Sequence, residues 1–342
     1  MTKPRNILVI GDGGWGTALS IMLHASGCNV TLWSAFPDYA AEMARTRENR
    51  KFLPGVKLPD AIKITGDISD APPETELIFS VVPTVYLRAT LNRLKDRLPK
   101  APIVSGTKGI ETETLLRPSE IISEIIAPPR LAAISGPCHA EEAARALPAS
   151  YVAASEDMNF AAAVQQLLNS ERFRVYTNPD LIGVELGGAL KNIIAISAGM
   201  CDSLNFGDSA KAALVTRGLV EMTRLGIAMG GKHETFAGLA GLGDLLVTCY
   251  SKHSRNRGVG EKVARGATLD QVLGDTEMKP EGVWTVKSAL ALAKKMKIEM
   301  PITEQVHAVL FDGRSPLDGV KELMLRPTKS EYEDRCKDKP SK

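Results

Sequence analysis

The sequence predicts an α/β chain: a doubly wound parallel sheet domain followed by an all-α C-terminal domain. Three observations predict it. An apolar strand, a glycine turn and a helix open the chain over residues 7–23. Short strand-like runs then alternate with helical patterns as far as Tyr176, and from about Leu186 long helical patterns continue with no further strand. The expected division is residues 1–185 for the sheet domain and 186–328 for the helical domain. A charged tail, residues 329–342, is expected to be disordered. A length of 342 residues exceeds what one core usually supports, and 44% hydrophobic content supplies two.

The first element is the most informative. Ile7-Leu8-Val9-Ile10 reads as a strand, Gly11-Asp12-Gly13-Gly14-Trp15-Gly16 as a turn, and the run from Thr17 to Leu23 as a helix. In such a G-x-G-x-x-G turn Gly11 permits the tight bend, Gly13 lets backbone approach a pyrophosphate, and Gly16 lets the helix pack close to the strand. The amide-rich helix N-terminus then faces the phosphates. The strand before and the helix after are the context that favours a dinucleotide site over a merely structural turn, so a dinucleotide-binding domain of Rossmann type is expected. Asp12 is expected to point outward, because a carboxylate aimed at a pyrophosphate would repel it.

Asn29-Val30-Thr31-Leu32-Trp33 is the second strand and completes a β-α-β unit. Beyond it an NAD site usually carries Asp or Glu for the ribose hydroxyls and an NADP site an Arg. Here stand Ser34-Ala35-Phe36, with Asp38 further on and Arg45 and Arg47 later, so the choice between NAD and NADP stays open. The run from Phe52 to Pro59 holds two prolines and a glycine and reads as an ordered loop. Further strands are expected at Ile62-Lys63-Ile64, residues 77–82, 102–105, 131–135, 151–154 and 173–176, with helices such as 85–98 and 160–169 between them. Ligands in this fold bind at loops leaving the carboxyl ends of strands, and those loops carry Pro83, Thr107-Lys108-Gly109 and Gly136-Pro137-Cys138-His139. Lys108 reads either as an anion contact or as a solvated surface lysine.

In the helical domain the neighbours of Lys191 at three and four positions are Gly188, Gly187, Ile194 and Ala195. That nearly bare face leaves room for a ligand beside a lysine whose proton affinity burial would lower, which suits a general base. A lysine snorkelling to solvent beside a close helix contact is the other reading. Three glycines precede Asp244, which suggests a close backbone approach. Ser254-Arg255-Asn256, at the expected start of a helix over 258–264, reads as an anion site or as a plain polar cap.

A net charge of +2 without a long basic block does not point to nucleic acid or an anionic membrane. Five scattered cysteines, none in C-x-x-C, read as reduced thiols of a cytoplasmic protein, and neither they nor the histidines form a metal set. No signal peptide or apolar stretch of spanning length is expected.

Taken together, the Trp15-Gly16-Thr17-Ala18-Leu19 continuation of the turn, the loop 52–59, Thr107-Lys108-Gly109-Ile110-Glu111, Ser135-Gly136-Pro137, Gly187-Gly188-Ala189-Leu190-Lys191-Asn192, Leu239-Ala240-Gly241-Leu242-Gly243-Asp244, Ser254-Arg255-Asn256-Arg257 and Pro301-Ile302 resemble the bacterial type of NAD(P)-dependent glycerol-3-phosphate dehydrogenase. The resemblance runs from Ile7 to about Leu325. It implies reversible hydride transfer between sn-glycerol 3-phosphate and NAD(P), giving dihydroxyacetone phosphate, in a homodimer that supplies glycerophospholipid backbones. Lys191 would be the proton acceptor and Asp244 part of its polar network. Lys108, Gly136, Cys138, Lys191, Asp244, Ser254, Arg255 and Asn256 would surround the substrate. The cofactor would contact Gly11, Gly13, Gly14, Trp15, Gly16, Lys108, Ala140, Arg255, Lys279 and Glu281.

Three positions depart from the family pattern. Cys138 stands where Ser or Thr is common, which removes a hydroxyl contact. Ala35 and Phe36 replace polar or basic residues that often meet the adenosine end, which weakens a claim for NADP. Gly14 replaces a frequent Ser, a change expected to be mild because phosphate there is held by backbone amides. Two rivals remain: a hydroxy-acid dehydrogenase of the same two-domain build, and a module that senses a dinucleotide without turning it over.

Overall fold

The computed structural model describes residues 5–274 and 280–331. Strands β1 (Asn6–Ile10), β2 (Asn29–Trp33), β3 (Lys63–Thr65), β4 (Leu77–Ser80), β5 (Ile103–Ser105), β6 (Leu131–Ser135), β7 (Ala149–Ala154) and β8 (Phe173–Asn178) make one sheet in the order β3-β2-β1-β4-β5-β6-β7-β8. All neighbours run parallel except β6 and β7. Helices α1 (Gly14–Ala25), α2 (Pro37–Thr46), α3 (Thr84–Leu94), α4 (Pro118–Ile125), α5 (Ala140–Ala144) and α6 (Met158–Leu168) connect the strands. Ile10 pairs with Trp33 on one side and Ser80 on the other, so the strand order reverses at β1. The crevice at the carboxyl ends of β1 and β4 is therefore the topological switch point where such sheets bind ligands.

The strands are apolar on both faces, as a sheet covered by helices on both sides requires. On one face Leu19 and Leu23 of α1 pack with Val9 and Phe79. On the other, Leu87, Leu91 and Leu94 of α3 pack with Ile10, Trp33 and Ile78. Expected and observed elements coincide in place and type, and differ mainly in their ends. The helix expected at 85–98 closes at Leu94, and β7 starts ahead of Tyr151.

The helical part comprises α7 (Leu181–Ser203), α8 (Gly207–Ala228), α9 (His233–Ala237), α10 (Asp244–Tyr250), α11 (Arg255–Ala264), α12 (Leu269–Gly274), α13 (Glu281–Met296), α14 (Pro301–Phe311) and α15 (Pro316–Met324). A single π-turn, Leu239–Gly243, leads into α10. Asp180 caps α7 by accepting from the Gly183 amide at 2.8 Å, so the helix begins ahead of Leu186. Contrary to the sequence expectation, α7 is long and apolar enough by composition to cross a membrane. Burial explains this: 89% of its apolar window lies inside the protein, because α8, α10, α11 and α13 enclose it and it must be hydrophobic on all sides.

A buried ion pair ties α7 to the sheet domain. Glu185 accepts from Arg117 Nη1 at 2.5 Å, from Ser119 Oγ at 2.6 Å and from the Ser119 amide at 2.8 Å. Glu185→Ala removes the buried carboxylate from Arg117 and leaves it Glu120, 3.1 Å from Nη2, and the Ser119 hydroxyl, so it is expected to cost up to about 3 kcal/mol in urea unfolding, less than a fully stranded charge would. Glu185→Gln, which retains hydrogen-bonding capacity, should cost less. A loss under about 1 kcal/mol in the alanine variant would mean that water reaches Arg117 and replaces the carboxylate.

Candidate active site

The site begins at the glycine turn. Gly11 has φ +111°, a conformation costly for any side chain, and its amide donates to the Trp33 carbonyl at 3.0 Å, fixing the turn to the end of β2. A Cβ on Gly16 would run into the Gly11 carbonyl, which is the close helix-to-strand packing expected of the third glycine. A Cβ on Gly13 would meet nothing. The first turn of α1 has neither a capping side chain nor an acidic residue, so its amides are left for an anion.

One expectation about this turn is corrected. Asp12 does not point outward: it is buried, and its Oδ2 accepts from Ser34 Oγ at 2.7 Å. It thus braces the loop after β2, and burial raises its pKa. Gly14 is tightly fitted in this chain, since a Cβ there would stand 2.6 Å from the Phe52 carbonyl oxygen. Gly14→Ala must displace the 52–59 loop and is expected to destabilise the fold by about 1–3 kcal/mol and to weaken dinucleotide binding. A melting curve and an NADH titration check this, and an unshifted melt would show that the loop yields freely.

Beyond the turn a cleft of about 910 Å³ opens between the sheet and the helical part. Every described residue that the resemblance assigns to substrate or cofactor lines it, with one exception. Asp244 lies fully buried behind Lys191. Lys279 lies outside the described residues.

The polar centre is two lysines on one carboxylate. Lys191 is 6% exposed and donates to Asp244 Oδ1 at 2.6 Å and to Thr248 Oγ1 at 2.6 Å. Lys108 Nζ sits 2.5 Å from Asp244 Oδ2. Burial pushes Lys191 down to about 8, with the Asp244 charge opposing and the Lys108 charge adding to the shift. Burial also presses the Asp244 carboxyl upward, yet the two ammonium groups hold it below the ordinary carboxylate range. Snorkelling is thereby excluded for Lys191. The glycines beside it serve contact more than ligand space: a Cβ on Gly188 would stand 2.7 Å from Ser135 Oγ, and one on Gly187 2.6 Å from the Ala240 carbonyl. They bring α7 against the end of β6 and the π-turn, which is how Lys191 reaches Asp244.

Ser254 caps α11 by accepting from the Arg257 amide at 3.2 Å, and Arg255 is exposed to the cleft at that helix N-terminus. Asn256 is committed to structure, donating to Asn192 Oδ1 at 2.9 Å and accepting from the Gly282 amide at 2.9 Å. Cys138 Sγ accepts from the Tyr151 hydroxyl at 2.6 Å, and burial drives its thiol up to about 11. Glu281 Oε1 accepts from the Thr84 amide at 2.8 Å, while its Oε2 is buried with no partner among the described residues. Burial raises this carboxyl to about 7. The sequence reading missed Ser135, Thr248 and Asn192. Thr248 stands four residues after Asp244, so helical spacing carried a signal for it, whereas Asn192, next to Lys191, faces another way, towards Asn256, and spacing carried none.

A phosphate-ready glycine turn at the switch point, facing a buried lysine with lowered proton affinity, defines a two-domain dehydrogenase that uses a nicotinamide dinucleotide. Comparison with known proteins narrows this. Residues 6–161 match the model of the NAD-dependent glycerol-3-phosphate dehydrogenase N-terminus and residues 180–321 that of its C-terminus. The glycerol-3-phosphate dehydrogenase [NAD(P)+] of Fusobacterium nucleatum is 45% identical over 96% of this chain and 98% of its own length. That of Pelotomaculum thermopropionicum is 48% identical over 96% and 95%. The crystal structure of glycerol-3-phosphate dehydrogenase from Coxiella burnetii superposes with a TM-score of 0.90 at 39% identity, covering 94% of this chain and 99% of that one. The chain belongs to the NAD-dependent glycerol-3-phosphate dehydrogenase family.

Proposed function

We propose that this protein interconverts sn-glycerol 3-phosphate and dihydroxyacetone phosphate with NAD(P) as hydride acceptor or donor. It would act in the cytoplasm as a homodimer and supply glycerol 3-phosphate for glycerophospholipid synthesis. The sheet through β8 would be the dinucleotide-binding unit and the helices from α7 onward the substrate unit, so the division falls at the start of α7, a few residues ahead of the expected 186. The observation that carries the reading is Lys191, buried on Asp244 at the wall of the cleft that also holds the glycine turn.

The chain's residues fit the dinucleotide: the free amides of α1, the open face at Gly13 and the orphaned Glu281 Oε2 offer an anion seat and an unmet acceptor. A bound nicotinamide dinucleotide would supply or take the hydride. Gly11, Gly13, Gly14, Trp15, Gly16, Lys108, Ala140, Arg255 and Glu281 would hold the dinucleotide, with Lys279 assigned by resemblance only. Lys191 takes the proton from the secondary hydroxyl during oxidation and returns it during reduction. Asp244 stabilises the protonated lysine and Thr248 helps to fix its Nζ. Lys108 and the backbone around Gly136 and Cys138 meet the glycerol part. Cys138 itself stays a protonated thiol turned to Tyr151. Ser254, Arg255 and Asn256 form the phosphate end, Asn256 chiefly by holding α11 to α7 and α13.

Consumption of NADH on adding dihydroxyacetone phosphate, followed by absorbance, tests the reading. Turnover of a hydroxy acid or its keto form instead would favour the rival dehydrogenase. Binding of NADH with no turnover of either would favour a sensor.

A further inference from the structure

One stretch of the cleft wall is built by residues that follow β2, Ala35 and Phe36, and by one face of α3. Tyr86, Ala89, Thr90 and Arg93 of that helix line the cleft at spacings of three and four, so they share a face. In sheets of this kind the residues just past β2 meet the adenosine ribose, and a nearby arginine there accommodates a 2′-phosphate. Positions 34–36 supply no basic side chain. Arg47 is not available either, since its Nη2 donates to the Ile62 carbonyl at 2.8 Å and to Pro59, and its Nε lies 3.5 Å from Asp60. Neither Arg45 nor Arg47 lines the cleft.

Arg93 does. Its guanidinium carbon stands 5.0 Å from the centroid of the Trp33 ring, and Trp33 is itself fixed, 2% exposed, with Nε1 donating to the Gly66 carbonyl at 3.2 Å. Stacking on an aromatic face orients a guanidinium while leaving its in-plane N–H groups free for an anion. Among the described residues no ion pair includes Arg93, and its side chain is exposed. Asp38, the acidic residue of α2 on the cleft wall, is the kind of group that accepts from ribose hydroxyls.

We propose that Arg93, held over the Trp33 ring, binds the 2′-phosphate of NADP(H), so that this chain recognises the phosphorylated cofactor from α3 and not from the loop after β2. The inference rests on the assignment of the cleft to the dinucleotide, and the test separates the two. Adenosine 2′,5′-bisphosphate and 5′-AMP differ only in the 2′-phosphate, and calorimetric titration reads their binding without catalysis.

Arg93→Ala and Arg93→Gln should bind the bisphosphate about ten- to a hundredfold more weakly, the worth of one hydrogen bond to a charged group, while 5′-AMP and NADH change less than about twofold. Arg93→Lys should fall between, and NADPH affinity should follow the bisphosphate. Bisphosphate binding unchanged in Arg93→Ala would overturn the proposal. So would equal loss of both nucleotides, which would make Arg93 a support for Trp33 alone, or a selective loss in Lys51→Ala instead. Failure of the parent protein to bind either nucleotide would overturn the cleft assignment and the proposal with it.

Discussion

Lys191→Ala is expected to lower turnover by about a hundred- to ten-thousandfold, the usual worth of a positioned general base, while NADH affinity changes little. The side chain is nearly buried at the cleft wall and reaches Asp244 and Thr248, so its removal takes away the proton acceptor and leaves Asp244 with Lys108 as its remaining close cation. The pH profile gives a sharper test than the rate. Burial brings Lys191 to about 8, so it is mostly protonated at neutral pH and becomes a competent base as pH rises through that value. Oxidation of glycerol 3-phosphate should therefore rise with pH through about 8. Reduction of dihydroxyacetone phosphate, which needs the ammonium as proton donor, should fall over the same span. In Lys191→Ala both inflections should vanish. Parallel profiles in the two directions of the parent enzyme, or parent-like turnover in the variant, would remove Lys191 from the mechanism.

The same lysine shows what could be read in the sequence and what could not. That it sits on an apolar helix beside glycines was plain, yet the glycines were open to opposite interpretations until Gly188 was seen against Ser135 and Gly187 against Ala240. Side-chain spacing within a helix predicts its faces but not the partner that each face meets. Asp244 and Lys108 come to Lys191 from distant stretches, so only the resemblance placed Asp244 beside Lys191, and nothing in the sequence put Lys108 on the same carboxylate. The sheet was far more legible, because strand periodicity and the glycine turn are local signals and adjacent β-α-β units determine their own neighbours. Asp12 was misread for the converse reason. Its immediate neighbours suggested repulsion from phosphate and hence exposure, whereas a hydroxyl from the next loop, Ser34, turned it inward. Arg93 went unseen because the expected position for a basic residue lies just past β2, and α3 approaches that place only in three dimensions.

Arg255→Ala is expected to reduce kcat/KM for dihydroxyacetone phosphate by roughly ten- to more than a hundredfold, since hydrogen bonds to a charged group contribute about 1.5–3 kcal/mol each. Arg255 opens α11, whose first-turn amides and Ser254 cap lie at the cleft, so its planar fork and the helix N-terminus can act on one phosphate. Arg255→Lys should recover only part of the loss, because an ammonium cannot reproduce a bidentate pair. The decisive comparison is with dihydroxyacetone, which lacks the phosphate. It should be a poor substrate of the parent enzyme, and Arg255→Ala should harm its reduction far less than that of the phosphorylated triose. Arg255 also lines the cleft near Glu281, whose charge acts on it, so NADH affinity in the variant has to be measured separately and the comparison made at saturating cofactor. Under those conditions the two substrates should part by at least tenfold. If both lose the same factor, Arg255 serves the cofactor or the helix and not the phosphate. The preference for a phosphorylated triose over a hydroxy acid would then have to come from Lys108 and the amides of α11 alone.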